Sequence, residues 1–282
     1  MKIERVAVIG AGTMGHGIAQ VLAAAGCQVA LTDVSAAAVD AALAKIAASL
    51  DRFCQKGVIS DGERTATLAR LRPCLELAQL SDRQLVVEAA SENETIKQSI
   101  FQSLDRHCAP ETILASNTSS IPLTRIAAWT QRPQQVIGMH FMNPVPLMPL
   151  VEVIRGLATS DATWQTTMDL ARLAGKTPVT VHDAPGFVSN RILMPMINEA
   201  VFALHEGVAT AEDIDTVMKL GMNHPMGPLA LADLIGLDTC LSIMDVLYRE
   251  FRDSKYRVCP LLAQKVAAGQ LGKKSGQGFY TY

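Results

Sequence analysis

Six residues near the start of the chain, Gly10-Ala11-Gly12-Thr13-Met14-Gly15, leave little freedom in what it folds into. The apolar run at residues 4–9 (Glu-Arg-Val-Ala-Val-Ile) reads as a buried strand that feeds directly into them. Residues 16–25 then read as a helix closed by Gly26, and a second strand is expected over 28–32, ending at Asp33. A lone G-x-G-x-x-G string is weak. Between a strand and a helix, with an acid closing the next strand, it marks the first βαβ unit of a dinucleotide-binding fold. Gly10 permits the tight turn, Gly12 lets a pyrophosphate approach the backbone, and Gly15 lets helix and strand pack closely. Gly10, Gly12, Thr13, Met14 and Gly15 are thus expected against the cofactor phosphates, where the helix start offers free N–H groups and partial positive charge. Asp33 is expected to accept from the adenosine ribose hydroxyls and to repel a 2′-phosphate. No Arg follows at position 34 or 35, so the cofactor is expected to be NAD.

The rest of the chain agrees with that start. Helices are expected over 35–55 and 61–71, and short strands near 85–88, 112–115, 135–140, 150–154 and 177–181. Alternation of this kind implies an α/β architecture of Rossmann type, with a doubly wound, mainly parallel sheet covered on both faces. After residue 186 the pattern turns helical: 187–206, 210–220, 228–252 and 258–269, with no convincing strand. The expected division is a dinucleotide-binding domain over 1–184 and a helical domain over 185–282. A length of 282 residues accommodates both.

Composition excludes several function classes. Hydrophobic residues are 49% and charged residues 18%, which excludes a disordered or low-complexity chain. A formal net charge of −2 gives no global field for nucleic acid or anionic lipid. No apolar run is long enough for a membrane helix, and the N-terminus has no signal-peptide core. Cys27, Cys54, Cys74, Cys108, Cys240 and Cys259 show no C-x-x-C pair and no zinc spacing, so no metal site is expected and the thiols read as free ones in the cytoplasm.

Three clusters carry chemistry beyond the glycine turn. Ser116-Asn117-Thr118-Ser119-Ser120 follows one strand, His140-Phe141-Met142-Asn143-Pro144 follows another, and Glu152 lies in the next. Loops at the carboxyl ends of strands surround the ligand crevice, which puts His140 at its mouth. Oxidising an alcohol needs a base for the hydroxyl proton while hydride leaves, and histidine titrates in the useful range. A carboxylate behind it fixes the tautomer and favours the imidazolium. A separate stripe, Lys45, Ser49, Arg52 and Lys56, falls on one face of the helix that starts at residue 35. Such a face suits an anionic ligand, or is simply a solvated charged surface.

With VAVIGAGTMGHGIAQ, VVEAASENETIK, ASNTSS, GMHFMNPVPLMPLVEVI, APGFVSNRILMPMINEA, HPMGPLALADLIGLD and LGKKSGQGFY, the chain resembles the short-chain L-3-hydroxyacyl-CoA dehydrogenase family over essentially its whole length. The bacterial 3-hydroxybutyryl-CoA members are the nearest match. The resemblance implies NAD-dependent oxidation of a short-chain (S)-3-hydroxyacyl-CoA and the reverse reduction. It makes His140 the catalytic base and Glu152 its partner. Ser119 matches a residue beside the substrate's 3-oxygen, and Asn190 an orienting amide from the start of the second domain. Glu88, Lys97, Asn117 and Asn143 match cofactor-proximal positions, Lys97 and Asn143 nearest the ribose and nicotinamide. Lys274, or its neighbour Lys273, matches a lysine near the cofactor. Ser49 and Lys56 match CoA-contacting positions, and Arg52 joins them by its place on the stripe. The resemblance also implies a homodimer through the helical domain.

Two rival readings remain at this level. One is a dehydrogenase of free 3-hydroxy or sugar acids, which has no use for the Lys45–Lys56 stripe. The other is a non-catalytic NAD-binding protein, which has no use for Ser119, His140, Glu152 and Asn190 together. Asn198, Glu199, Asp215 and Asp238 interrupt apolar faces of the helical domain. His224 reads as a turn or interface residue.

Overall fold

An apolar run without polar interruption suits a strand covered on both faces, and Val6, Ala7 and Val8 of β1 (Arg5–Ile9) are completely buried. The computed structural model describes residues 2–282, in two units: one ends at Asp183, the other is Ala184–Tyr282. In the first, α1 (Thr13–Ala24) leads to β2 (Gln28–Thr32), α2 (Ala36–Gln55), α3 (Asp61–Ala69), β3 (Leu71–Cys74) and β4 (Leu85–Glu88). Then come α4 (Glu94–His107), β5 (Ile113–Ser116), α5 (Leu123–Ala127), β6 (Val136–Phe141), β7 (Leu150–Arg155), α6 (Asp161–Leu173) and β8 (Thr177–His182).

The eight strands form one sheet in the order β3-β2-β1-β4-β5-β6-β7-β8. Every pairing is parallel except β6 with β7. The mainly parallel, Rossmann-like sheet of the sequence reading is therefore present. Chain order reverses at β1, which has β2 on one side and β4 on the other. The carboxyl ends of β1, β2, β4 and β5 open on the crevice created there.

Local differences from the sequence reading have local causes. Helix α1 starts at Thr13, inside the glycine string, because Gly12 is its N-cap. Strand β3 replaces the end of the helix expected to reach residue 71. Leu-Arg-Pro-Cys is short, buries only Leu71 and Cys74, and keeps its proline because it lies at the sheet edge.

The second unit contains α7 (Ser189–His205), α8 (Ala211–Leu220), α9 (Pro228–Ile235), α10 (Leu237–Phe251) and α11 (Pro260–Ala267). Met194, Val201, Leu229, Leu237, Met244, Leu247 and Leu262 are central to its core. The single helix expected over 228–252 is two helices, broken at Gly236, whose φ of 103° is outside the helical range. Buried Asp215 accepts from the N–H groups of Leu229 and Ala230, both at 2.9 Å, and so caps α9, whose N-cap Gly227 has no side chain. Asp233 accepts from Phe279 and Tyr280 N–H, both at 2.9 Å, and ties down the C-terminal segment. Among the described residues no helix is long and apolar enough to cross a membrane.

Candidate active site

Each glycine of the turn meets a different demand. Gly10 has φ 97°, and a Cβ there would lie 2.5 Å from Ala89 O. A Cβ on Gly15 would overlap Gly10 O. A Cβ on Gly12 would meet nothing within 4 Å, so packing does not require glycine there. What a Cβ would fill at Gly12 is the approach to the start of α1. That start has no side-chain cap and no acid in its first turn, which leaves its N–H groups for an anion. Asp33 closes β2, and its Oδ2 accepts from Ala11 N–H at 2.6 Å while its Oδ1 accepts from Val34 N–H at 2.7 Å. The carboxylate thus clamps the turn, and each oxygen keeps a lone pair for a ribose hydroxyl. These residues fit a dinucleotide.

The loops after β4 and β5 share a buried charge network. Lys97 of α4 donates to Glu88 Oε1 at 2.7 Å and lies 3.3 Å from Glu92 Oε2; the side chains of Lys97 and Glu88 are 1% and 0% exposed. Glu88 also accepts from Ala90 N–H at 2.7 Å and from Ser116 Oγ–H at 2.6 Å. Neither the Lys97 nor the Glu88 side chain is exposed at the surface. The member with exposed surface is Glu92, which the sequence reading did not single out. Its Oε1 accepts from Thr118 Oγ1 at 2.5 Å, Ser119 N–H at 2.9 Å, Ser120 N–H at 3.0 Å and Ser120 Oγ at 2.8 Å. Burial pushes the Glu92 carboxyl up, and Lys97 with these hydrogen bonds outweighs it, leaving the pKa below the ordinary carboxylate value. The one signal for Glu92 in the sequence was its place after β4, on the crevice side.

Antiparallel pairing brings the next two residues together. His140 of β6 is the register partner of Glu152 in β7, so both side chains leave the same face of the sheet. His140 Nδ1 is 2.7 Å from Glu152 Oε2, and both residues are buried. Asn117, after β5, accepts from Phe141 N–H at 2.9 Å and braces the end of β6. Ser119 is half-buried and Asn143 exposed, on the loops that follow β5 and β6.

Lys45, Ser49 and Arg52 of α2, with Lys56 just beyond it, line one cleft of about 470 Å³. Pro144, Pro146 and Leu147, from the loop after His140, form its apolar side. In the second unit, Asn190 sits half-buried in the first turn of α7. Lys274 is held within that unit by Asp238, at 2.5 and 2.7 Å, and Lys273 lies over the Tyr282 ring at 5.3 Å. Burial raises the Asp238 carboxyl, and the Lys274 hydrogen bond together with backbone N–H groups brings it below its usual value.

A buried imidazole–carboxylate pair on the sheet that carries an uncapped glycine turn can move a proton and hold a dinucleotide. Known proteins with this sequence pattern bear on which reaction that is. The family model "3-hydroxyacyl-CoA dehydrogenase, NAD binding domain" matches residues 5–184, and "3-hydroxyacyl-CoA dehydrogenase, C-terminal domain" matches 186–282. A probable 3-hydroxybutyryl-CoA dehydrogenase of Bacillus subtilis (strain 168) is 58% identical over 282 residues, covering 100% of this chain and 98% of the relative. A 3-hydroxybutyryl-CoA dehydrogenase of Bradyrhizobium diazoefficiens is 53% identical over 280 residues, covering 99% and 96%. Among solved structures, the (S)-3-hydroxybutyryl-CoA dehydrogenase PaaH1 of Ralstonia eutropha superposes with a TM-score of 0.98 at 51% identity, covering 100% of this chain and 99% of that one.

Proposed function

The chain belongs to the 3-hydroxyacyl-CoA dehydrogenase family, and from that premise we propose that it interconverts short-chain (S)-3-hydroxyacyl-CoA and 3-oxoacyl-CoA, with His140 as the base. It is an NAD-dependent oxidoreductase. The observation that carries the role of His140 is its hydrogen bond to buried Glu152. NAD, when bound along the glycine turn, supplies the hydride acceptor, and NADH the donor for the reverse direction.

The side chains do the rest. Glu152 accepts from Nδ1–H, which leaves Nε2 as the proton acceptor and fixes the ring plane. Nε2 takes the 3-hydroxyl proton, and the carboxylate stabilises the imidazolium that results. In reduction the same imidazolium returns the proton to the ketone oxygen. Ser119 orients the 3-oxygen from a turn that Glu92 braces. Asn190 orients the thioester carbonyl. Asp33 takes the adenosine ribose, and Asn143 serves the nicotinamide side. Glu88 and Lys97 act through Glu92. Arg52 and Lys56, with Ser49, take the CoA phosphates, supported by the absence among the described residues of any ion pair holding Lys45, Arg52 or Lys56. Lys274 gives Asp238 two hydrogen bonds and keeps a third N–H for the cofactor.

The assay that tests this is NADH consumption with acetoacetyl-CoA, beside free acetoacetate and beside NADPH. Turnover confined to the CoA ester with NADH is the expected result. Turnover of acetoacetate would move the assignment to a free-acid dehydrogenase, and NADH binding without turnover to a non-catalytic protein.

We further propose that the chain acts in the cytoplasm as a homodimer through the helical unit. Six free cysteines support the compartment; burial pushes the Cys240 thiol up to about 12, which keeps it unreactive. Exposed Val217, Leu220 and Met222 support the dimer, since apolar surface of that kind is normally covered. Sedimentation at the mass of two chains is expected; a single-chain mass at micromolar concentration would refute it.

A further inference from the structure

Lys176 is a buried cation that the reaction just described does not use. Burial holds its ammonium below the ordinary lysine pKa, and among the described residues no carboxylate pairs with it to offset that cost. A methionine of similar length would carry no such cost. What the ammonium does is donate to two backbone carbonyls, Val145 O at 2.5 Å and Met148 O at 2.9 Å. Both belong to residues 142–149, the loop that joins β6 to β7 and so connects the strand of His140 to the strand of Glu152.

The sequence of that loop explains the need for a donor from elsewhere. Pro144, Pro146 and Pro149 have no N–H, which leaves the loop short of donors for its own carbonyls. The N–H groups of Leu147 and Met148 both go to Pro144 O, at 3.0 Å. Lys176 is itself firmly placed. Gly175, with φ 70°, ends α6, and Lys176 N–H returns to Ala171 O at 3.0 Å. The next residue, Thr177, donates its N–H to Pro149 O at 2.8 Å. The loop also rests on α1, where a Cβ at Gly17 would lie 2.8 Å from Val145 Cβ.

The loop carries Asn143, and its Pro144, Pro146 and Leu147 form the apolar side of the cleft that Lys45, Arg52 and Lys56 line. The His140–Glu152 pair does not depend on Lys176, because its register comes from β6 and β7 and Asn117 braces the end of β6. An effect of Lys176 is therefore expected on substrate binding more than on proton transfer. Resting on the CoA-thioester reading above, we infer that Lys176 is a positioning residue for the reaction: its ammonium holds the 142–149 loop in the shape against which the acyl-CoA binds.

The test combines steady-state kinetics on acetoacetyl-CoA with amide hydrogen exchange, both on the whole chain. Lys176→Met is expected to raise KM for acetoacetyl-CoA about tenfold, the scale of a lost hydrogen bond to a charged group. It is expected to change kcat by less than about threefold, because the base and its partner stay in register. A merely structural role would act the other way round. Fewer folded molecules lower the apparent kcat, whereas KM, a property of the molecules that do fold, stays where it was. Lys176→Arg is expected to regain most of the KM, since a guanidinium keeps donors for both carbonyls and a cavity of about 470 Å³ beside residue 176 has room for it. In exchange, the amides of Val145, Leu147 and Met148 are expected to lose protection in Lys176→Met while those of β6 keep theirs. An active wild-type protein whose KM is unmoved in Lys176→Met overturns the positioning role alone. A wild-type protein that leaves acetoacetyl-CoA unreduced overturns the CoA-thioester reading instead. Loop amides as protected in Lys176→Met as in wild type would overturn the hold of Lys176 on the loop, whatever the substrate.

Discussion

His140→Gln is expected to lower kcat by about a thousandfold or more while NADH binding is retained. Glutamine keeps the β6 backbone pairing and approximates the length of the imidazole. Its amide N–H can still donate to Glu152 Oε2, so the carboxylate does not lose its partner. What it lacks is a nitrogen that can take up and release a proton near neutral pH. The glycine turn and Asp33 belong to β1 and β2, three or more strands away in the sheet, so the residues that hold the adenosine and the phosphates are untouched. The loss is therefore expected equally in kcat and kcat/KM, as for an interaction made only in the transition state. Single-turnover oxidation and NADH fluorescence titration separate the two effects. A loss of only about tenfold would mean that the base is another group.

How much of this arrangement could be read in the sequence depends on how local its causes are. The glycine turn was legible because its three glycines and Asp33 act within one βαβ unit. The helical character of the second unit was legible from periodicity, but the break at Gly236 was not. Nothing in residues 228–252 requires a positive φ; the segment around Leu271 that meets Leu237 N–H comes from far along the chain. His140 and Glu152 were recognised as a pair, yet their register depends on β7 reversing direction, a property of the sheet and not of either strand. Lys97 was the least legible. A lysine on a helix with a polar exposed face reads as a surface charge, and only the fold shows it sealed against Glu88.

That sealed pair sets the second large effect. Lys97→Met is expected to cost about 3–5 kcal/mol of stability, because it leaves a fully buried carboxylate without its cation. The size follows from asymmetry. The intact pair contributes little net stability, since the gain in attraction offsets the cost of taking both ions out of water. Removing one partner leaves that cost unmet. Ala90 N–H and Ser116 Oγ–H still reach Glu88, but two neutral donors do not replace an ammonium. A fall in the urea midpoint reads the loss directly. Lys97→Met/Glu88→Gln is expected to recover much of it, because the glutamine oxygen still accepts from Ala90 N–H, its amide N–H can donate to Ser116 Oγ, and the charge is gone. The same substitution reaches the crevice through Glu92. Burial raises the Glu92 carboxyl, and Lys97 is the strongest influence opposing it. Without Lys97 the carboxylate holds the Ser119–Ser120 turn less firmly, so the double variant is expected to regain stability without regaining full turnover. A Lys97→Met protein as stable as wild type would show that the network is a set of hydrogen bonds instead of an ion pair. A double variant that regains both stability and turnover would confine the network to stability and remove Glu92 from the positioning of Ser119.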